Sequence, residues 1–426
     1  GPPTSVFSSS SSQQQQQQEQ QRWAAEVVRL LLELGVDDDV RALMDAGAIP
    51  KLCRLLLGGK TGAAAAGGAA TSALAEIAVR GPAFRDAVLE GGTMAKLLAR
   101  VDADDDDDPD VIRRGSLAIA TLCRGKPPPP YSAVRPAVPT LGRLLASTDD
   151  DVVAYACEAL SGLCDGHDDH LEDIVACRGV CPRLVHLLDS ANLAVLEPTL
   201  NACGNLCAGD DGFVDVLLEA GLLRSLEALL LRKKSSDDDG DSAVRKDACW
   251  VISNVLSGNP RQIQAVLDST LVVLLVGILG DPRERHAVHQ EAAYAISNAT
   301  VAGTTLQVAQ LVDAGVVPEL CHLILNDGLD LVVLLNALEA IRNIGHALPV
   351  HGRTLDLPSF YTLYLQDLAA YHRNADVARL ARDTLDGLGV TLGSGGGDSS
   401  ATKDNNTDDD ALFQEDHHLA LSSSSS

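Results

Sequence analysis

Four stretches, 202-ACGNLCAG-209, 248-ACWVISNVLSG-258, 292-AAYAISNATVAG-303 and 337-ALEAIRNIG-345, decide how this chain folds. Each sets an Asn before an apolar residue and, a few positions on, a Gly able to end a helix. Their Asn residues, Asn205, Asn254, Asn298 and Asn343, fall 49, 44 and 45 residues apart, the longer first interval holding an acidic insert at 235–242. Weaker copies precede them at 71-TSALAEIAVRG-81, 116-SLAIATLCRG-125 and 156-ACEALSGLCDG-166. With Glu76, Thr121 and Gly162 in the Asn place, the spacings are 45, 41 and 43.

A second element recurs between these copies: 46-AGAIPKLCRLLL-57, 136-PAVPTLGRLL-145, 179-GVCPRLVHLL-188, 220-AGLLRSLEALL-230 and 315-GVVPELCHLIL-325. A Gly or a Pro in each marks a sharp turn into a helix with an apolar i, i+3, i+4 face. A period of roughly 40–47 residues with three helices per unit is the armadillo signature. One such unit cannot bury both sides of its helices, so the array folds only as an array. Residues 22–390 are therefore expected to form an all-α, right-handed armadillo-repeat superhelical solenoid without strands. Seven repeats have a readable third helix, and half-repeats at 23–57 and 356–389 serve as caps. Residues 1–21, rich in Ser and Gln, and the acidic, Ser-rich 391–426 are too polar to bury and are expected to be disordered.

Composition narrows the function. Aromatics make up only 3% of the 426 residues, so the core falls to Leu, Val, Ala and Ile, as in stacked helices. The net charge of −26, from 59 acidic and 33 basic side chains, argues against nucleic acid and for a basic partner. The Asp runs at 104–108, 149–151 and 237–239 read as solvated loops. The longest apolar run, 271–279, is too short to span a bilayer, and no membrane is expected as a partner. Ten cysteines sit mostly in apolar helical stretches with no CxxC pair, so they read as buried thiols. The group Cys164, His167, His170, Cys177 and Cys181 matches no structural-zinc spacing. There is no phosphate-binding Gly loop and no interpretable Ser/His/Asp set, so neither an enzyme nor a cofactor is expected. Glu284, His286, His289 and Glu291 form the most catalytic-looking group, but they fall on a turn and a helix start.

Longer strings carry a family resemblance. AFRDAV at 83–88, LCRGKPPPP at 122–130, PTLGRLL at 139–145, VCPRLVHLL at 180–188, GNLCAGDD at 204–211, DACWVISNVLSGNPRQIQAV at 247–266 and EAAYAISNAT at 291–300 follow the order of importin-alpha. From about residue 22 to 390 the chain resembles that family. The resemblance implies an adaptor that moves between cytoplasm and nucleus. It would hold basic nuclear-localisation-signal peptides, Lys/Arg-rich segments of cargo proteins, in a concave groove lined by third helices bearing Trp and Asn four residues apart. Residues i and i+4 share a helix face. An Asn amide donates and accepts at once, so it can clamp an extended backbone. Stacked Trp rings make slots for the stems and charges of Lys or Arg.

The resemblance implies two basic-peptide sites, and the chain keeps them unequally. In the N-terminal half Ser72, Leu117 and Glu158 stand in the Trp places, Glu76, Thr121 and Gly162 in the Asn places, and Arg80 replaces an acidic residue. That site is expected to be lost. In the C-terminal (minor) half the candidates for peptide binding are Asn205, Asp211, Trp250, Asn254, Glu291, Tyr294, Asn298, Glu339 and Asn343. The four Asn are expected to line one concave surface. The family opens with a basic segment that recruits importin-beta, whereas Gly1–Gln21 carries one Glu and no Lys or Arg. Importin-beta is accordingly a doubtful partner. The competing expectation is an armadillo scaffold for protein–protein interaction with no part in nuclear import.

Overall fold

The computed structural model describes residues 37–56, 64–103, 109–165, 168–232, 239–325 and 329–390, together with Trp23 and Val27. Residues 1–21, 104–108 and 391–426, and the expectations of disorder and of doubtful importin-beta recruitment attached to them, lie outside this set. So do His167 and Asp237–Asp238. The described residues hold helices and turns and no strand, as an all-α armadillo solenoid requires.

Two compact units divide the chain, residues 1–225 and residues 226–426. In the first, long third helices run over Ala64–Ala78, Pro109–Cys123, Asp150–Cys164 and Leu193–Cys207, each packed on the next. In the second they run over Asp239–Leu256, His286–Ala302 and Leu331–Ala347, closed by Ala375–Gly387. Two shorter helices separate successive third helices, as in Pro260–Leu267 and Leu271–Leu279. The exceptions have a cause. Pro127–Pro130 supply no N–H groups, and the helix after them shrinks to Tyr131–Val134 plus a 3-10 turn.

The third helices form where they do because their faces are apolar on more than one side, and several have capped entries. Asp149, Asn192, Asp330 and Asn374 each accept a backbone N–H at a helix start. Asn259 with Gln262, and Thr304 with Gln307, make reciprocal capping boxes on the helices between. On His286–Ala302, Ala292, Ala293, Ala295 and Ala299 are all fully buried, small enough for both neighbouring third helices to approach. Each buried Leu or Ile of the array contributes roughly 1.5–3 kcal/mol.

One expectation needs correction. The run Asp149–Asp151 is no solvated loop. Asp149 caps the helix Asp150–Cys164 and pairs with Arg113, which holds its carboxyl below the ordinary range. The stretch Leu331–His351, though interrupted by polar residues, is on average apolar enough and long enough to cross a membrane. Burial against neighbouring repeats accounts for it, since Val333, Leu338, Ile341 and Ile344 are wholly buried.

Glycine makes the turn between the two short helices. Gly47, Gly92, Gly179, Gly221 and Gly315 hold φ of 77, 68, 90, 95 and 89°. A Cβ at Gly315 would touch nothing, so the demand there is for the left-handed backbone rather than for space. The prolines that recur beside these turns, such as Pro182 and Pro318, sit in the first helical turn, where no intrahelical N–H is lost. Gly315→Ala is expected to lower stability by about 1 kcal/mol. Gly277→Ala, inside Leu271–Leu279 with open space around it, is expected to raise it by about 0.5–1 kcal/mol. Urea midpoints of the two variants moving in the same direction would overturn this account of the turn.

Candidate peptide-binding face

Counting back from each Asn of the second unit gives three rows on consecutive third helices. Asn254, Asn298 and Asn343 form one, with Trp250, Tyr294 and Glu339 four residues earlier and Asp247, Glu291 and Asn336 seven earlier. Steps of four and seven keep a helix face, so the rows run side by side.

The Asn row does more than await a ligand. Asn298 Nδ2 donates to Ser253 O at 3.1 Å and to Ser253 Oγ at 3.0 Å. Asn343 Nδ2 donates to Thr300 Oγ1 at 3.2 Å. Each amide thus stitches its repeat to the previous third helix with its donor half. Asn254 is only 1% exposed, whereas Asn298 and Asn343 are half-buried. Arg342 donates to Asn343 Oδ1 and Asn254 is closed off by burial, so the acceptor oxygen left toward a peptide is that of Asn298, a narrower role than the two-way clamp expected from sequence.

Trp250 and Tyr294 are half-buried walls beside that row. Burial pushes the Tyr294 hydroxyl up, with Glu291 and Asp330 adding to the effect and Asn336 opposing it. Glu291 stands on the third helix that follows Trp250's. Burial raises its carboxyl to about 7, Lys246 pulls it down and Asp247 pushes it up. Lys246 pairs with Asp247 at 3.1 Å. One repeat on, Arg342 pairs with Glu339 at 3.0 Å and donates to Asn343 Oδ1 at 3.0 Å. A cavity of about 310 Å3 opens there, lined by Thr300, Thr305, Glu339, Arg342, Asn343 and His346 among others.

Asn205 and Asp211 belong to the first unit. Asn205 is half-buried on its third helix, and Asp211 is exposed at the start of the helix Asp211–Glu219, off the third-helix face. The rest of the first unit's face is laced by arginines. Arg114 pairs with Asp110 at 2.8 Å and reaches Ser72 Oγ at 3.5 Å, and Arg124 pairs with Glu158 at 2.8 Å. Arg80, which stands in place of an acidic residue, pairs with Asp37 at 3.6 Å with its side chain 18% exposed. Gly162 replaces an Asn for a spatial reason: any Cβ there would come within 2.7 Å of Cys123 O. The catalytic-looking group disperses. Glu284 is buried against Arg245, and His289 Nε2 lies 2.9 Å from Ile278 O. Among the described residues no His, Cys, Asp or Glu group is placed to hold a metal. Burial pushes the Cys157 and Cys181 thiols up to about 11, as expected of inert core cysteines.

Sequence reasoning missed Lys246, Asp247, Asn336 and Arg342. The step of seven could have found Asp247 and Asn336. The two cations sit on the same helices, but the direction of their long stems is not written in the spacing.

The armadillo/beta-catenin-like repeat family matches residues 304–346. Importin subunit alpha-1a of Oryza sativa subsp. japonica is 36% identical over 252 residues, which is 57% of this chain and 44% of the rice protein. Importin subunit alpha-8 of Arabidopsis thaliana is 29% identical over 342 residues, 80% of this chain and 73% of that one. The chain spans about half the length of most of the curated relatives it matches, for example 45% of importin subunit alpha-4 of Arabidopsis thaliana. Among solved structures, an engineered protein aligns with a TM-score of 0.65 at 24% identity, over 88% of this chain and 96% of its own. A designed armadillo repeat protein in complex with the peptide (KR)4 aligns with a TM-score of 0.51 at 27% identity, over 59% of this chain and 99% of its own.

Proposed function

Because this chain is a divergent member of the importin-alpha family, we propose that it is an adaptor for nuclear import, working in cytoplasm and nucleus. Its face of the second unit holds the Lys/Arg-rich signal peptides of cargo proteins. It is a binding protein and not an enzyme. The observation that carries the reading is the register of Trp250 and Tyr294 with the Asn254–Asn298–Asn343 row on consecutive helices, next to half-buried carboxylates. Aromatic walls take the alkyl stems and attract the charge, and the Asn298 amide oxygen accepts a peptide N–H. A designed armadillo relative binds an alternating Lys/Arg peptide, which supports the same use of the fold here. The first unit contributes little, since Arg114 and Arg124 cross its face and its own carboxylates answer them.

Fluorescence anisotropy of a labelled Lys/Arg-rich peptide tests the reading. Saturable binding that weakens as salt is raised is expected, because part of the attraction is screened charge. Equal binding of a Glu-rich peptide of the same length, or none of the basic one, would sink it. An import assay in permeabilised cells separates the adaptor from a scaffold without a transport role: the chain must carry a signal-bearing reporter into nuclei.

A further inference from the structure

The face of the second unit changes sign at its last third helix. There Leu331–Ala347 places Arg342 and His346 on the cavity of about 310 Å3, and Glu339 is the single carboxylate among the residues that line it. The chain as a whole carries a net charge of −26, so this corner runs against its surroundings. We propose that the cavity is an anion site, which takes an acidic or phosphorylated side chain of the bound peptide. The shared chemistry is a carboxylate or phosphate oxygen that accepts from a guanidinium. The inference rests on the peptide reading above and adds a second requirement to it, a negative residue set apart from the basic ones.

Arg342 is held in place before any ligand arrives. Its Nη2 donates to Glu339 Oε1 and to Asn343 Oδ1, each at 3.0 Å, and its Nε reaches the same amide oxygen at 3.3 Å. Asn343 is fixed in turn. Its Nδ2 donates to Thr300 Oγ1 at 3.2 Å, and that hydroxyl donates to Ser297 O at 2.8 Å. A guanidinium carries five N–H groups in a planar fork, and the two on Nη1 have no partner among the described residues. The side chain is 25% exposed, so most of it is already out of water and a ligand oxygen can still reach it. Glu339 does not cancel the site. It is an i, i+3 partner open to solvent, and such a pair is weak enough to share its cation with a second anion. His346 stands one turn further along the helix with its ring against Gly387, where a Cβ would come 3.3 Å from Nε2. Val301, largely exposed, gives the aliphatic part of the incoming residue a surface.

The spacing within the peptide follows from the packing. Tyr294 and Arg342 lie on successive third helices, which pack against each other. Packed helices stand about 8–10 Å apart, and an extended chain advances about 3.4 Å per residue. Arg342 and His346 also lie further along their helix than Tyr294 does along its own, measured from the Asn row. A Lys or Arg seated at Tyr294 and an anion at Arg342 are therefore separated by roughly three to five residues. The other end of the face has no equivalent place, because Asp247 and Glu291 stand there with Lys246. A negative residue on that side of the basic run gains nothing.

Fluorescence anisotropy of the full chain with a series of labelled peptides reads this directly. Each keeps one Lys/Arg core and carries Ser, Asp or phosphoserine roughly three to five residues to one side of it or the other. On one of the two sides, phosphoserine should raise affinity over Ser by about tenfold and Asp by about threefold. Asp equal to phosphoserine assigns the place to a carboxylate, and phosphoserine well ahead of Asp assigns it to a phosphate. Arg342→Gln leaves Glu339 without its cation, so the order should invert: phosphoserine falls below Ser, and Lys at that position rises above it. A purely structural role for Arg342 would weaken every peptide alike and keep their order. Glu339→Gln, at a side chain open to solvent, is the second variant and should enlarge the phosphoserine advantage. Equal affinity of the Ser and phosphoserine peptides on both sides, or an advantage that survives Arg342→Gln, overturns the inference while the basic-peptide reading stands. No binding of any peptide in the series by the unaltered chain overturns both.

Discussion

Glu284→Ala is expected to destabilise the second unit by about 3–5 kcal/mol. Arg245 Nη2 lies 2.7 Å from Glu284 Oε2, and the two side chains are 8% and 4% exposed. Arg245 also donates to the carbonyl of Leu230. The pair pins the turn before His286–Ala302 to the third helix Asp239–Leu256, so it joins one repeat to the next. Removing the carboxylate leaves a guanidinium buried without its counter-charge, and that is the costly state. Replacing both residues, as Arg245→Met with Glu284→Leu, removes the desolvation cost along with the attraction and should recover most of the loss. Arg283, paired with Asp281 but 89% exposed, is the control, and Arg283→Ala should cost about 1 kcal/mol or less. The comparison is made by denaturant midpoint, with hydrogen exchange to locate the loss within the array. Glu284→Ala no worse than Arg283→Ala would mean the pair is structurally idle.

Because the contacts are repetitive, much of the fold could be read before any coordinates. The Asn-to-Gly spacing located every third helix from 64 to 347, and the Gly-containing element located the left-handed turn at Gly179, Gly221 and Gly315. These are local signals: a helix face and a backbone conformation are properties of a few consecutive residues. The face of the second unit was legible to the same degree, as rows of Trp250, Tyr294 and Asn residues. What those side chains do was not. Asn298 turns its donor to Ser253, Arg80 turns to Asp37, and Asp149 reaches Arg113. In each case the partner lies 36 to 45 residues away, in a neighbouring repeat. Spacing along one helix says which face a residue is on, but not whom a flexible or bifunctional group meets there. Gly162 shows the converse, since an apparent loss of a binding residue is the close approach of two helices at Cys123.

Trp250→Ala is expected to weaken binding of a Lys/Arg-rich peptide by about 1–2 kcal/mol, roughly 5- to 30-fold. The ring stands four residues before Asn254 on Asp239–Leu256, half-buried, with Lys246 and Asp247 one turn behind. Truncation removes both the wall for the aliphatic stem and the face that attracts the charge, while the Asn row and Glu291 remain. The residual affinity should therefore still fall with salt. Loss of packing could imitate this result, so Trp250→Met is the companion: it keeps a flexible apolar side chain in the space but has no ring. A stable Trp250→Met that binds as weakly as Trp250→Ala assigns the effect to the aromatic face. Glu76→Ala, on the third helix Ala64–Ala78 of the first unit, should leave affinity unchanged, because Arg114 and Arg124 already cross that unit's face. If Trp250 can be removed without consequence while Glu76→Ala abolishes binding, the working face is the one in the first unit, and the arginines there must give way to the ligand rather than exclude it.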